Sequence, residues 1–175
     1  MKIRCLACWL TGCWIAGSLF MIMVATENFR SVDRLLAAPA GASALAGKLG
    51  HGEARTFLRY QVSEQNRWYF EHWEWIQVVL ILALLGATLG QGKSLWIAAA
   101  LMLALLAAQR FYITPEIVRI GRLIDFAPEA LERKTFWEFH GAYSGIELTK
   151  LALGVFLAGR LILGGERTGR RAADR

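Results

Sequence analysis

Proline, cysteine and histidine are scarce in this chain, each occurring three times in 175 residues. Because proline is rare, long stretches lack a helix breaker: residues 53–90 contain no proline, and no glycine before Gly86. The cysteines supply one Cys5-x-x-Cys8 pair without a second pair, so a metal or redox motif is not predicted. The sequence also lacks a nucleophile constellation, a phosphate-binding loop and an internal repeat. It therefore predicts a protein that is not an enzyme.

Hydrophobic residues, by contrast, make up 55% of the chain, and the mean hydropathy is +0.37. A single domain of this size is too apolar for an ordinary soluble fold. A helix needs roughly 20 apolar residues to cross a membrane. Four stretches are predicted to do so, namely residues 5–25, 75–90, 94–112 and 143–163. We therefore expect an all-α protein whose four transmembrane helices form a bundle, with residues 1–175 as one integral membrane domain.

The distribution of Lys and Arg near the span ends predicts the orientation. Basic residues collect at Lys2 and Arg4, in the turn 91–93 and in the tail 164–175, so these segments and both termini are expected in the cytoplasm. The longer connections balance bases with acids and are expected outside the inner membrane. A net charge of +6 needs no nucleic-acid partner, because basic segments against anionic lipid account for it.

The connections outside the membrane are predicted to be largely helical. Residues 53–90 should form one helix that projects beyond the bilayer, since good helix formers continue without a break. Pro115 is expected to start or kink a helix that runs to Phe126, and residues 127–129 to form a turn into the last helix. Residues 37–50, which are rich in Ala and Gly, are predicted to be the one flexible linker.

Charged and amide side chains interrupt the predicted spans at nearly one depth. Counting 1.5 Å per residue from the inner span ends places Glu74, Arg110 and Glu147 at ~24 Å. The last helix adds a stripe of residues that should face the bundle, because each residue turns the helix by about 100°. The predicted polar layer comprises Glu74, Gln77, Gln109, Arg110, His140, Ser144, Glu147 and Lys150. Ionisable groups are costly inside a membrane, so they usually mark a function or a tight pairing.

Two interpretations of this polar layer remain open. Balanced charges can satisfy one another as bridges that hold helices in register, and Glu147 and Lys150 would then pair with Arg110 and Glu74. Alternatively, the two acids, two bases and two amides of this layer exceed what register requires and indicate an outward-opening pocket for a small ligand, a quinone head group, an ion or a proton.

His72 and His140 raise the question of a cofactor. Two facing imidazoles in a four-helix bundle can bind a b-type haem. Their estimated depths, ~27 Å and ~35 Å, disagree by more than axial ligation of one iron permits. We therefore predict neither a cofactor nor a metal site, with haem b or a metal held by these histidines as the alternative.

Two motifs flank the connection between the third and fourth spans. Residues 113–117 read Ile-Thr-Pro-Glu-Ile, and residues 139–144 read Phe-His-Gly-Ala-Tyr-Ser. With these motifs, residues 107–163 resemble an uncharacterised bacterial family of small four-span membrane proteins, which is similar to a eukaryotic transmembrane protein linked to drug tolerance. The resemblance implies the four-span architecture and leaves the activity open. The arm 27–73 departs from the family's usual short connection.

We expect a non-enzymatic accessory or assembly protein of the inner membrane. Its polar layer would fix the bundle, and its outer arms would contact a membrane-protein partner or a second copy of the chain. The alternative is a carrier or redox component for a small ligand, quinone or haem. In that case Glu147 and Lys150 form the polar centre of the site, and His140 lies at its mouth.

Overall fold

The computed structural model describes residues 2–37, 47–48, 50–127 and 131–173, the last nine of them by their backbone alone. Within these residues the chain forms helices and turns and contains no strand, which confirms the predicted all-α class. Among the described residues, the long α-helices in chain order are α1 Lys2–Ala37, α2 His51–Thr88, α3 Lys93–Ala108, α4 Thr114–Ile124 and α5 Glu132–Ala173. A π-helical turn, Gln109–Ile113, joins α3 to α4 in one continuous helix.

Among the residues that the structure describes, three helices are long and apolar enough to cross a membrane: α1, α2 and the continuous helix Lys93–Ile124. Helix α5, which holds the predicted fourth span, is not among them, and it carries Glu147, Lys150 and Arg160 within that span. Helices α1 and α2 have 36 and 38 residues, so each is much longer than the roughly 20 residues of one crossing. The prediction of a single long helix from residue 53 onward is confirmed as far as Thr88.

The hairpin between α2 and α3 is made by a short turn that contains two glycines. Gly90 and Gly92 have φ angles of 75° and 136°, which side-chain-bearing residues rarely adopt. The Gln91 amide donates a hydrogen bond to the Thr88 carbonyl at 3.1 Å and closes the turn. The turn therefore lies where the sequence predicted it. Most of the predicted linker 37–50 and of the turn 127–129 lies outside the described residues.

An apolar core fills the half of the helices nearest this hairpin. Its side chains come from α1, α2, α3 and α5, and α1 and α3 each contact both α2 and α5. The core consists of Ala7, Leu10, Trp14, Ile81, Leu84, Ala87, Leu95, Ala98, Ala99, Met102, Leu106, Leu157 and Leu161. The polar layer lies directly beyond it.

The contact between Gly17 and the Trp73 ring sets how closely α1 approaches α2. A Cβ atom added at Gly17 would overlap the ring, whereas one added at Gly12 would meet nothing within 4 Å. We expect Gly17→Ala to lower the free energy of unfolding by about 1 to 3 kcal/mol through overpacking. Gly12→Ala is the control and should be neutral or slightly stabilising, because alanine favours the helix. Thermal melts followed by circular dichroism in detergent measure both, and equal melting temperatures would contradict the contact.

Beyond the predicted first span, α1 continues as a helix alongside the start of α2. The Asn28 side-chain amide donates to the side-chain oxygen Oδ1 of Asn66 at 2.7 Å, and Arg55 pairs with Asp33 at 2.9 Å. We call residues 26–37 the arm of α1 and residues 51–73 the arm of α2, since both lie beyond the predicted spans. These contacts pair the two arms. No helix was predicted specifically for residues 26–36, although the outer connections were expected to be largely helical.

A cluster of ion pairs joins the arm of α2 to α4. Arg67 contacts Asp125 at 2.7 Å and Glu64 at 2.6 Å. Glu64 in turn accepts two hydrogen bonds from Arg122, at 2.9 and 3.0 Å. These interactions tie the end of α4 to α2 outside the predicted spans.

The Glu64 carboxyl should make stability depend on acidity. Hydrogen bonds from Arg122 and Arg67 lower its pKa from 4.5 to about 2. Because the folded-state pKa is depressed, this stabilisation is complete above about pH 4.5 and is lost as the pH falls towards about 2. In Glu64→Gln the melting temperature should depend less on pH between about 4.5 and about 2 than it does in the parent. Glu138→Gln is the control, since that exposed carboxylate lies 3.8 Å from Lys134. If the melting temperature of Glu64→Gln fell with acidity as steeply as that of the parent, Glu64 would not be the group responsible.

Candidate functional site

The structure brings six of the eight predicted polar-layer residues into one network. They lie on α2, the π-helical turn and α5, and they are Glu74, Gln77, Gln109, Arg110, Glu147 and Lys150. Glu74, Gln77, Gln109 and Lys150 have no exposed surface. Counting residues along each helix therefore identified six of the residues that meet, although not their pairing.

Glu147 is the centre of the network. Its Oε1 accepts from Lys150 Nζ at 2.9 Å, from Gln109 Nε2 at 2.8 Å and from Gln77 Nε2 at 3.5 Å. Lys150 Nζ also donates to Gln77 Oε1 at 2.8 Å. One carboxylate oxygen thus links α2, the π-helical turn and α5.

Trp14 connects α1 to the same network. Its indole N–H donates to Gln77 Oε1 at 3.3 Å. Its ring packs against Gly154 of α5, where an added Cβ would lie 2.9 Å from the ring. Trp14 was not among the site residues predicted from the sequence. The available signal was that a buried indole N–H needs an acceptor.

Glu74 forms the second half of the network. Its Oε1 accepts from the Thr114 hydroxyl at 2.5 Å and from Gln109 Nε2 at 3.5 Å. Its Oε2 lies 3.8 Å from Arg110 Nε. Arg110 also pairs with the exposed Glu71 at 3.0 Å, which connects the buried network to the surface.

The π-helical turn explains why Gln109 and Thr114 reach the same carboxylate. Five residues apart on a regular α-helix, they would point about 140° away from each other. The Thr114 amide bonds instead to the Gln109 carbonyl, so the wider turn aligns both side chains. Pro115 follows directly and has no amide hydrogen to continue the regular pattern. Turns of this kind occur frequently at functional sites.

The predicted pairing of Glu147 with Arg110 is wrong. Glu147 pairs with Lys150 of its own helix, three residues away, and Arg110 pairs with Glu71 and Glu74 of α2. Helical neighbours at this spacing lie on one face, so the pair forms without help from another helix.

Ser144 and the two histidines lie outside the network. Ser144 donates to the His140 carbonyl at 2.9 Å, a bond to the preceding helical turn that satisfies the hydroxyl locally. The His140 ring contacts Phe136 and Trp137 of its own helix. His72 likewise stacks on Trp68, at 3.9 Å between ring centroids, and its Nδ1 lies 2.8 Å from the Trp68 carbonyl oxygen.

The described residues do not group three His, Cys, Asp or Glu side chains where they could hold a metal ion. The network itself contains two carboxylates and two cationic side chains, which balance. No protein-family model matches the chain, and neither do curated proteins or solved structures.

Proposed function

We propose that this chain is a non-enzymatic, four-span accessory or assembly protein of the inner membrane. In this proposal the four long helices form a bundle, the buried polar network holds them in register, and both termini are cytoplasmic. The helical arms outside the membrane contact a membrane-protein partner.

The observation that carries the proposal is the reach of the network. Its hydrogen bonds join Trp14 on α1, Gln77 on α2, Gln109 on the π-helical turn and Glu147 on α5. Interhelical hydrogen bonds are a common source of cohesion between helices in a membrane. The only charged groups of the network with surface exposure are Glu147 and Arg110, at 16% and 19% of their side chains.

The arms support the second part of the proposal. The arms of α1 and α2 are joined by an ion pair and by a hydrogen bond between side-chain amides, so they form a packed layer. Phe57 and Phe126 remain 59% and 61% exposed and line a shallow depression on it with Thr56. Exposed aromatic side chains of this kind favour contact with another protein.

The proposed orientation is tested with alkaline phosphatase, which is active only outside the cytoplasm. A fusion after Arg175 should be inactive, because basic segments remain in the cytoplasm. An insertion near Gly47 should be active. The reverse pattern would contradict the orientation.

The assembly role is tested by removing the protein from its host cell and comparing membrane complexes on native gels. We expect at least one complex to become less abundant, and both the parent and Glu147→Leu/Lys150→Leu to restore it. An unchanged set of complexes would contradict the role. A double variant that folds but fails to restore the complex would favour the ligand or redox alternative.

Ligand binding is the second candidate function. It is favoured by buried polar atoms in the network that have no hydrogen-bond partner, among them Glu74 Oε2 and Gln109 Oε1. A purely structural network would be expected to satisfy them.

A further inference from the structure

Four buried polar atoms without a hydrogen-bond partner occur together around Glu74. They are Glu74 Oε2, Gln109 Oε1, Arg110 Nε and Tyr143 Oη. Among the described residues only Ser18 Oγ shares this property, so four of five such atoms belong to one place. Burying a polar group without a partner is costly, and such groups call for an explanation.

The four atoms belong to side chains that are neighbours around Glu74. Glu74 Oε2 lies 3.8 Å from Arg110 Nε, which is too far for a direct hydrogen bond. The Tyr143 hydroxyl lies beside both Gln109 and Glu74 without reaching hydrogen-bond geometry. The orientation of the Gln109 amide is fixed, because its nitrogen lies between the carboxylates of Glu74 and Glu147.

The chemistry of these atoms selects the kind of group that fits. Glu74 Oε2 and Gln109 Oε1 accept hydrogen bonds, Arg110 Nε–H donates one, and the Tyr143 hydroxyl can do either. An anion would face Glu74, and a cation would face Arg110. An uncharged oxygen that both donates and accepts satisfies the set without either conflict.

We propose that Glu74, Gln109, Arg110 and Tyr143 form a binding site for one uncharged hydroxyl-type oxygen, supplied by a water molecule or by the hydroxyl of a membrane amphiphile. Water can donate to both acceptors and accept from both donors, and two to four polar partners are what a buried water needs. A ligand hydroxyl supplies one donor and the same acceptor. Either occupant completes a hydrogen-bonded path from the exposed Glu71, through Arg110, to Glu74.

This site goes beyond the assembly role and does not depend on it. A network that only holds helices in register needs no group between Glu74 and Arg110. The site also does not require the protein to have a partner. The two proposals can therefore fail separately.

The test for a bound water mixes the detergent-solubilised protein rapidly into heavy-oxygen water and then labels the protein radiolytically. Tyr143 should retain ordinary oxygen from a bound water after the exposed Tyr112 has acquired heavy oxygen. Both residues are measured in one protein, so folding does not confuse the comparison. Glu74→Gln should lose the delay, since it replaces an acceptor with a donor.

The test for an amphiphile compares a titration with para-propylphenol and a titration with its methyl ether, which lacks the hydroxyl group that donates a hydrogen bond. If the site takes a ligand hydroxyl, the phenol should raise the melting temperature of the parent and of Tyr112→Phe but not of Tyr143→Phe, and the ether should have no effect. A delay at Tyr143 alone identifies water as the occupant, and a phenol-dependent rise identifies an amphiphile. Prompt exchange at Tyr143 together with equal effects of phenol and ether would overturn the site.

Discussion

Glu147→Leu should lower the free energy of unfolding by about 3 to 5 kcal/mol, because it leaves a buried ammonium without its carboxylate. Lys150 Nζ has no exposed surface, and its two acceptors are Glu147 and Gln77. Removing Glu147 leaves it one neutral amide oxygen. Replacing both charged residues with leucine can be nearly neutral, since no charge is then stranded. Glu147→Leu/Lys150→Leu should therefore recover a substantial part of the loss.

Two further sets of variants test whether the recovery is specific to the Glu147–Lys150 pair. Glu147→Leu/Arg110→Leu should show no recovery, because Arg110 pairs with Glu71 and Glu74 instead. An exposed pair at the same spacing, Glu116 and Arg119, should show little change in either single variant. Unfolding in detergent by heat, with fluorescence detection, measures all variants.

Each deviation from this pattern has a defined meaning. Equal losses in Glu147→Leu and its Lys150 double variant would show that the pair does not carry the stability. Recovery in the Arg110 double variant would restore the pairing predicted from the sequence. A tolerated or stabilising Glu147→Leu would favour a functional site, because such sites are often maintained at the expense of stability.

The depth of the polar layer could be predicted from the sequence because helix rise is constant. Residues that interrupt apolar stretches at equal distances from the inner ends must lie at similar heights, and six of them meet. The partners could not be predicted, because height does not fix the rotation of each helix. Only the Glu147–Lys150 pair was available locally, through its spacing of three residues.

Trp14 and Thr114 show two further limits. Thr114 reaches Glu74 only because the π-helical turn inserts a residue, and a regular helix assumed from the sequence points it elsewhere. Trp14 lies on the first helix, which contributes no residue to the predicted polar layer. The position of α1 follows from the close contacts Trp14–Gly154 and Gly17–Trp73, which depth counting cannot anticipate.

The arm of α1 was missed for a compositional reason. Residues 26–37 mix charged, polar and apolar side chains, so their periodicity is weak without a partner. The structure gives them one: Asn28 and Asp33 bond to Asn66 and Arg55 of α2. Their helical state is thus a tertiary effect, which local sequence reports poorly.

Val62→Pro should unfold the arm of α2 and leave the polar network intact. Val62 lies well inside this helix, so proline removes a backbone donor and clashes with the preceding turn, at a cost of about 3 kcal/mol or more. Amide hydrogen exchange should quicken in residues 51–61 and in the paired end of α1, residues 26–37. Residues 74–88 should keep their protection, because their contacts lie in the core and the polar network.

His51→Pro is the matched control for this variant. His51 is the first residue of α2, a position where proline is favoured because the first amide groups have no partner within the helix. Its exchange pattern should equal that of the parent. If Val62→Pro also accelerates exchange in residues 74–88, the arm and the polar network unfold as one unit. If it changes neither region, the arm does not depend on a continuous helix. Exchange confined to the arm would mean that the network is stable without the outer layer, which leaves that layer available for a partner.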